Sequence, residues 1–189
     1  MQTTNCQAQA ITDGIEGGSS GSDVSSRVDL SASKPPSRLR LRFDGSSRSN
    51  PGSAGCGYVL SLAAAATETA EEVVEKGGQH LGVVTNNEAE YYGLITGCRR
   101  ALALGYRSLI IEGDSLLVCQ QVLGHWQVRS TRLATLHHAA LSLINSFDSV
   151  EVRHIPRASN DAADRLARHY SDRVDLSTSK PPSAARSTL

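Results

Sequence analysis

Residues 108–114 of the chain read Ser-Leu-Ile-Ile-Glu-Gly-Asp, and this stretch decides the fold class. A short aliphatic run bounded by a Gly-Asp turn signal is typical of a strand buried on both faces, as in a parallel sheet. Parallel neighbours need long crossover connections, which are usually helical. The stretch therefore predicts an α/β fold in which helices cover a sheet.

Further elements are predicted on both sides of this strand. Arginines alternate with apolar residues over 38–43, which is the period of a strand with one buried face. Thr85 and Glu88 form a capping box, and apolar positions then recur at helical spacing until Gly105. The remaining predictions are strands at 57–62 and about 73–81, helices at about 86–104, 115–123 and 131–146, a strand at 150–155 and a helix at 159–170. This order, summarised as βββαβαβα, implies one five-stranded mixed sheet flanked by helices.

Length and composition limit the class of protein. The chain has 189 residues, with 19 Lys plus Arg and 19 Asp plus Glu, so its formal net charge is zero. One domain is expected, and any binding of a polyanion must depend on local placement of charge. No apolar run is long enough to cross a bilayer, and the first thirty residues lack a secretory signal pattern. We therefore expect an intracellular protein, cytoplasmic or nuclear, with no membrane partner.

Two Ser-rich segments flank the predicted domain at 38–170. Residues 1–37 and 171–189 contain too few large apolar side chains to offset the entropy of ordering, so both are expected to be disordered tails. Residues 25–37 recur as 171–183, with 11 of 13 positions identical. A duplicated Ser/Pro linker and a docking or phosphorylation motif both explain the repeat, and the sequence identifies no partner for it.

Four acidic residues are predicted where they can meet. Asp44 and Asp114 follow the first and fourth predicted strands, and ligands collect where the chain leaves the carboxyl ends of parallel strands. Glu90 lies on the inward face of the first helix, and Asp164 lies in the last helix. Two carboxylates about 4 Å apart repel by roughly 4 kcal/mol at an effective dielectric near 20, so such a cluster requires cations. Carboxylate oxygens suit Mg²⁺ or Mn²⁺, and a pair of these ions can promote phosphodiester hydrolysis.

Each of these residues also has a local structural explanation. Asp44-Gly45 is a favourable turn, Asp114 can cap the following helix, and Asp164 can pair with an arginine one helical turn later. Glu88 is as acidic as Glu90, but the capping box gives it a local role. Glu90 is therefore assigned to the site.

Four motifs together resemble a type 1 ribonuclease H in order and spacing. They are Asp44-Gly45-Ser46, Thr85-Asn86-Asn87-Glu88-Ala89-Glu90-Tyr91, Gly113-Asp114-Ser115 and His154-Ile155-Pro156-Arg157-Ala158-Ser159-Asn160-Asp161-Ala162-Ala163-Asp164-Arg165-Leu166-Ala167. The resemblance covers about residues 38–170 and implies a ribonuclease H-like fold. It also implies an endonuclease that cleaves the RNA strand of RNA–DNA hybrids and leaves 5′-phosphate and 3′-hydroxyl ends. We expect the protein to act as a monomer.

The resemblance assigns roles to individual residues. Catalysis by two Mg²⁺ ions, which Mn²⁺ can replace, is implied for four carboxylates: Asp44, Glu90, Asp114 and Asp164. His154 is implied to assist proton transfer or product release, with a strand-end histidine bonded to backbone as the alternative. Contacts to the hybrid's minor groove and backbone are implied for Asn50, Thr85, Asn86 and Asn87, which a turn and a helix start also explain. Candidate phosphate contacts are Arg48, Arg129, Arg153, Arg157 and Arg165.

The chain also departs from the family pattern. Leu116 stands where many relatives carry Gln, and only residues 124–130 separate two predicted helices, so the basic helical protrusion of some members is absent. The stretch Gly124-His125-Trp126-Gln127-Val128 resembles the corresponding stretch of compact, reverse-transcriptase-like domains. Trp126 is expected either to stack near the DNA strand or to anchor the edge of the core. A catalytically weak nucleic-acid-binding or interaction module of the same fold is the alternative function; intact carboxylates oppose it.

Overall fold

The computed structural model describes residues 38–63 and 71–173. The predicted tail at 1–37, and residues 174–189 of the second tail with its repeat, lie outside the described residues. The elements are β1 (Leu39–Ser47), β2 (Gly52–Leu62), β3 (Val73–Val84), α1 (Asn86–Ala103), β4 (Ser108–Gly113), α2 (Leu116–Val122), α3 (Thr131–Ile144), β5 (Ser149–His154) and α4 (Asp161–Ser171), with a 3₁₀ turn at Arg157–Ser159.

The five strands form one mixed sheet in the order β3-β2-β1-β4-β5. The β1–β2 and β2–β3 pairs are antiparallel, whereas the β1–β4 and β4–β5 pairs are parallel. This confirms the predicted five-stranded mixed sheet. The predicted order βββαβαβα holds when α2 and α3 are counted together as the crossover from β4 to β5.

The core lies between one face of the sheet and α1. Leu39, Leu41 and Phe43 of β1 are buried on that face, and Leu94 of α1 is also buried. Thr85 caps α1, and both bonds of the predicted capping box are present. Because the cap fixes where α1 begins, it also fixes which side of the helix faces β1.

Gly45 corrects one sequence prediction. Asp44-Gly45 was predicted to end the first strand in a turn, but β1 continues to Ser47 and Gly45 pairs with Cys56 in β2. A Cβ atom on Gly45 would overlap the backbone of Ala89 and Glu90. The glycine is therefore required for the close approach of β1 to α1 rather than for a turn.

The connection between α2 and α3 is short. It runs from the C-cap Leu123 to the N-cap Ser130 and contains no further helix, which confirms that the basic protrusion is absent. Within residues 38–63 and 71–173, no helix has the length and apolar character needed to cross a bilayer.

Candidate active site

Three carboxylates converge at one edge of the sheet. Asp44 lies in β1, Glu90 in α1, and Asp114 directly after β4; one carboxylate oxygen of each lies within 4.8 Å of the others. The parallel β1–β4 pairing sets Phe43 opposite Gly113, so the next residue of each strand carries its carboxylate to the same place. Asp44 is 2% and Glu90 6% exposed. The sheet register and the close β1–α1 contact thus build a buried acidic cluster.

Burial and mutual repulsion favour the protonated forms of Asp44 and Glu90. Burial, followed by the charges of Asp114 and Asp164, raises the pKa of Asp44 to about 8. Burial and the charges of Asp44 and Asp114 raise the pKa of Glu90 well above its usual range. Glu90 Oε2 is buried and has no hydrogen-bond partner among the described residues. An unpartnered buried oxygen among like charges fits a site for a divalent cation.

Asp164 borders this cluster but is held by two arginines. Nη2 of Arg157 donates to its Oδ1, and Nε of Arg168 donates to its Oδ2 at 2.9 Å. Nη1 of Arg157 also lies 4.0 Å from Asp114 Oδ2. The structure therefore brings Asp44, Glu90 and Asp114 together and attaches Asp164 to them through the Arg157 guanidinium. The local pairing of Asp164 with Arg168 is present alongside the site.

Asn160 is a buried residue of the site that was not predicted from the sequence. It is fully buried at the start of α4, and its Nδ2 donates to the backbone oxygen of Phe43 at 2.8 Å and to Asp114 Oδ1 at 2.6 Å. A polar side chain this deeply buried requires such partners. Its signals in the sequence are its place in the motif that runs from His154 to Ala167 and its position four residues before Asp164.

His154 is the last residue of β5. Its ring is exposed, and Nε2 lies 3.2 Å from the backbone oxygen of Asp114. This contact is the one expected of a strand-end histidine bonded to backbone. It also leaves the imidazole at the rim of the acidic cluster. Asp114 does not cap α2, since Ser115 does so.

The four residues predicted to contact a hybrid meet at the N-terminus of α1. The Asn86 amide N–H donates to Asn50 Oδ1 at 3.1 Å, and Asn86 Oδ1 accepts from the Ser47 amide at 3.2 Å. Thr85 Oγ1 is engaged with Glu88 in the capping box, and Asn87 follows at the next position. The β1–β2 turn and the start of α1 therefore form one surface. Asn87, on this surface, precedes Glu90 by three positions in the sequence.

Comparison with known proteins decides the family. Residues 42–170 match the family model described as reverse transcriptase-like. The chain is 36% identical over 150 residues to Ribonuclease HI of Halobacterium salinarum, covering 78% of this chain and 72% of that relative. The chain belongs to the ribonuclease H family.

Solved structures of other ribonucleases H are similar to this one. The crystal structure of RNase H1 from Halobacterium salinarum superposes with a TM-score of 0.65 at 37% identity, covering 71% of this chain and 98% of that chain. LC11-RNase H1, solved in complex with an RNA/DNA hybrid, gives a TM-score of 0.64 at 26% identity, covering 71% of this chain and 97% of that chain. The chain is also 39% identical over 135 residues to the bifunctional protein Rv2228c of Mycobacterium tuberculosis, covering 71% of this chain but only 36% of that relative.

Proposed function

We propose that this ribonuclease H cleaves the RNA strand of RNA–DNA hybrids and leaves 5′-phosphate and 3′-hydroxyl ends. The observation that carries the proposal is the buried cluster of Asp44, Glu90 and Asp114, whose oxygens lie within 4.8 Å of one another. Similarity to a protein named Ribonuclease HI and to an RNase H1 solved with an RNA/DNA hybrid supports the substrate. We infer a monomer that acts inside the cell.

The acidic residues are proposed to hold two Mg²⁺ ions, with Mn²⁺ able to replace them. Asp44, Glu90 and Asp114 offer oxygens to one common position, and Asp164 borders it. When bound, such cations neutralise the clustered charge and polarise the attacking water and the scissile phosphate. Burial and the neighbouring carboxylates disfavour the ionised forms of Asp44 and Glu90, and a bound cation would restore those forms.

The chain's own residues are proposed to orient the hybrid and move a proton. Arg157 is 65% exposed beside Asp114, so its guanidinium can pair with a phosphate of the RNA strand. His154 is exposed at the rim of the cluster and can accept or donate a proton there. At the N-terminus of α1, Asn50 and Asn87 are proposed to contact the hybrid, where 2′-hydroxyl contacts distinguish RNA from DNA.

Cleavage of a labelled RNA strand tests this proposal. The expected result is cutting of the hybrid in Mg²⁺ or Mn²⁺, with none in EDTA, none by Asp114→Asn, and none of duplex DNA or duplex RNA. Mass spectrometry of the products should find a 5′-phosphate and a 3′-hydroxyl. If folded protein at high concentration in Mn²⁺ does not cut the hybrid, the proposal fails and a non-catalytic binding module remains.

A further inference from the structure

Trp126 is the sole tryptophan of the chain and is 47% exposed. It lies in the connection between α2 and α3, at residues 124–130. An isolated exposed apolar residue needs no special explanation by itself. Of the two sequence interpretations of Trp126, this exposure does not favour an anchor for the core.

Hydrogen bonds with two residues of α2 hold the backbone of this connection in place. The His125 and Trp126 amides both donate to the Gln120 backbone oxygen, at 2.9 and 3.2 Å. Gln121 is only 5% exposed; its Nε2 donates to the Gln127 backbone oxygen at 3.3 Å, and its Oε1 accepts from the Tyr91 hydroxyl at 2.8 Å. Tyr91 is the residue after Glu90. Hydrogen bonds therefore fix the backbone that carries the indole, and they connect it to α1, the helix that carries Glu90.

The indole also borders a small concavity. Its volume is about 350 Å³, and its lining residues are His125, Trp126, Gln127 and Arg129. No carboxylate of residues 38–63 or 71–173 pairs with Arg129. The concavity therefore offers an aromatic face, an amide and an unneutralised guanidinium. These groups suit a base that can stack and a phosphate that can pair.

We propose that this concavity binds an unpaired nucleotide in a single strand that continues from the hybrid. Trp126 stacks on the base, and Arg129 contacts the phosphate. Paired bases are stacked inside a duplex, so only a single-stranded extension presents a free base to the indole. Because α2 has seven residues, the two ends of this helix, next to Asp114 and next to the concavity, are about 10 Å apart. This inference rests on the proposed function for the class of nucleic acid, and it makes hybrid ends with single-stranded extensions the preferred substrates.

The lone tryptophan allows a direct test. The full chain carrying Asp114→Asn, in Mg²⁺, is titrated with a blunt hybrid and with hybrids bearing 5′ or 3′ DNA extensions. We expect an extended hybrid to quench Trp126 emission and the blunt hybrid to leave it unchanged. By anisotropy of labelled substrate, Trp126→Ala should bind the extended hybrid about ten-fold more weakly and the blunt hybrid equally well. Trp126→Phe should restore much of the binding.

Leu123→Ala is the matched control, because Leu123 is a neighbouring apolar residue that is 42% exposed. It should bind both substrates like the parent protein, and thermal melting should show that every variant is folded. Equal weakening for blunt and extended hybrids, or emission unchanged by either extension, would overturn the inference. Cleavage of blunt hybrid by the unaltered chain tests the proposed function separately. Cleavage without an effect of Trp126 rejects only this inference, and Trp126-dependent binding without cleavage rejects only the nuclease function.

Discussion

The Asn160 side-chain amide donates a 2.6 Å hydrogen bond to Asp114, a residue 46 positions earlier in the sequence. The same amide nitrogen donates to the backbone oxygen of Phe43 at 2.8 Å. One buried side chain therefore ties the start of α4 to both β1 and β4. The orientation of Asp114 is fixed by this bond independently of any bound cation.

Asn160→Ala should lower both stability and activity. The change leaves the Phe43 carbonyl without its donor and releases Asp114, so we expect a loss of about 1–3 kcal/mol in unfolding free energy. Urea denaturation in EDTA measures that loss, and hybrid cleavage should fall in parallel. Asn145→Ala, at the exposed C-cap of α3, is the control and should change neither quantity. Full activity in Asn160→Ala would show that the bond to Asp114 is dispensable.

Glu88 and Glu90 offer a matched pair of substitutions on one helix. Glu90→Gln removes a charge from the acidic cluster, so we expect cleavage to be abolished and stability in EDTA to be unchanged or higher. Glu88→Gln keeps a residue that suits a capping box, so we expect cleavage within about two-fold of the parent and a stability loss below about 1 kcal/mol. Cleavage kinetics and urea denaturation check both. Appreciable cleavage by Glu90→Gln would contradict its assignment.

The stability of the metal-free protein should decrease as pH rises. The pKa of Asp44 is about 8 in the folded chain against an ordinary value of 3.8, so between these two pH values the folded state binds a proton that the unfolded state has lost. The stability due to this proton is fully present below pH 4 and is lost as pH rises through about 8. Urea midpoints in EDTA from pH 5 to 9 should show this slope. Asp44→Asn should flatten it, and a rising slope would refute the expectation.

Arg157 should oppose cation binding and favour cleavage. Its guanidinium engages Asp164 and lies 4.0 Å from Asp114 Oδ2, so Arg157→Ala should strengthen Mn²⁺ binding to the free protein in calorimetric titration. The same variant should cleave the hybrid about ten-fold more slowly, because it loses a charged contact to phosphate. Arg107→Ala is the control, since Arg107 is exposed directly before β4, at the end of that strand opposite Asp114. Equal effects of both variants would indicate a general loss of positive charge.

Local signals in the sequence predicted most of the fold. The capping box at Thr85, the alternation in β1 and the aliphatic run of β4 each depend on neighbouring residues, and all three elements are present. The family resemblance also selected Asp44 and Asp114, which the parallel register brings together.

Long-range contacts could not be predicted in this way. Nothing near Asn160 in the sequence indicates that its amide reaches Phe43 and Asp114, since these partners are set by how α4 packs on the sheet. The Asp-Gly pair at 44–45 has the composition of a turn, and only the packing of α1 shows why the glycine lies within a strand. Likewise, the buried Gln121 amide that supports the Trp126 loop also accepts from the Tyr91 hydroxyl of α1, a contact that nothing near Gln121 in the sequence indicates.

Gly45 constrains how this protein can change by mutation. Any side chain there must move α1 away from β1, because its Cβ would overlap the backbone of Ala89 and Glu90. Replacing Asp44 by asparagine, in contrast, removes a charge without needing space. A mutant library sorted only for folded protein would therefore keep asparagine at position 44 and discard alanine at position 45. Two adjacent positions are thus constrained for different reasons: catalysis limits substitution at position 44, and folding limits substitution at position 45.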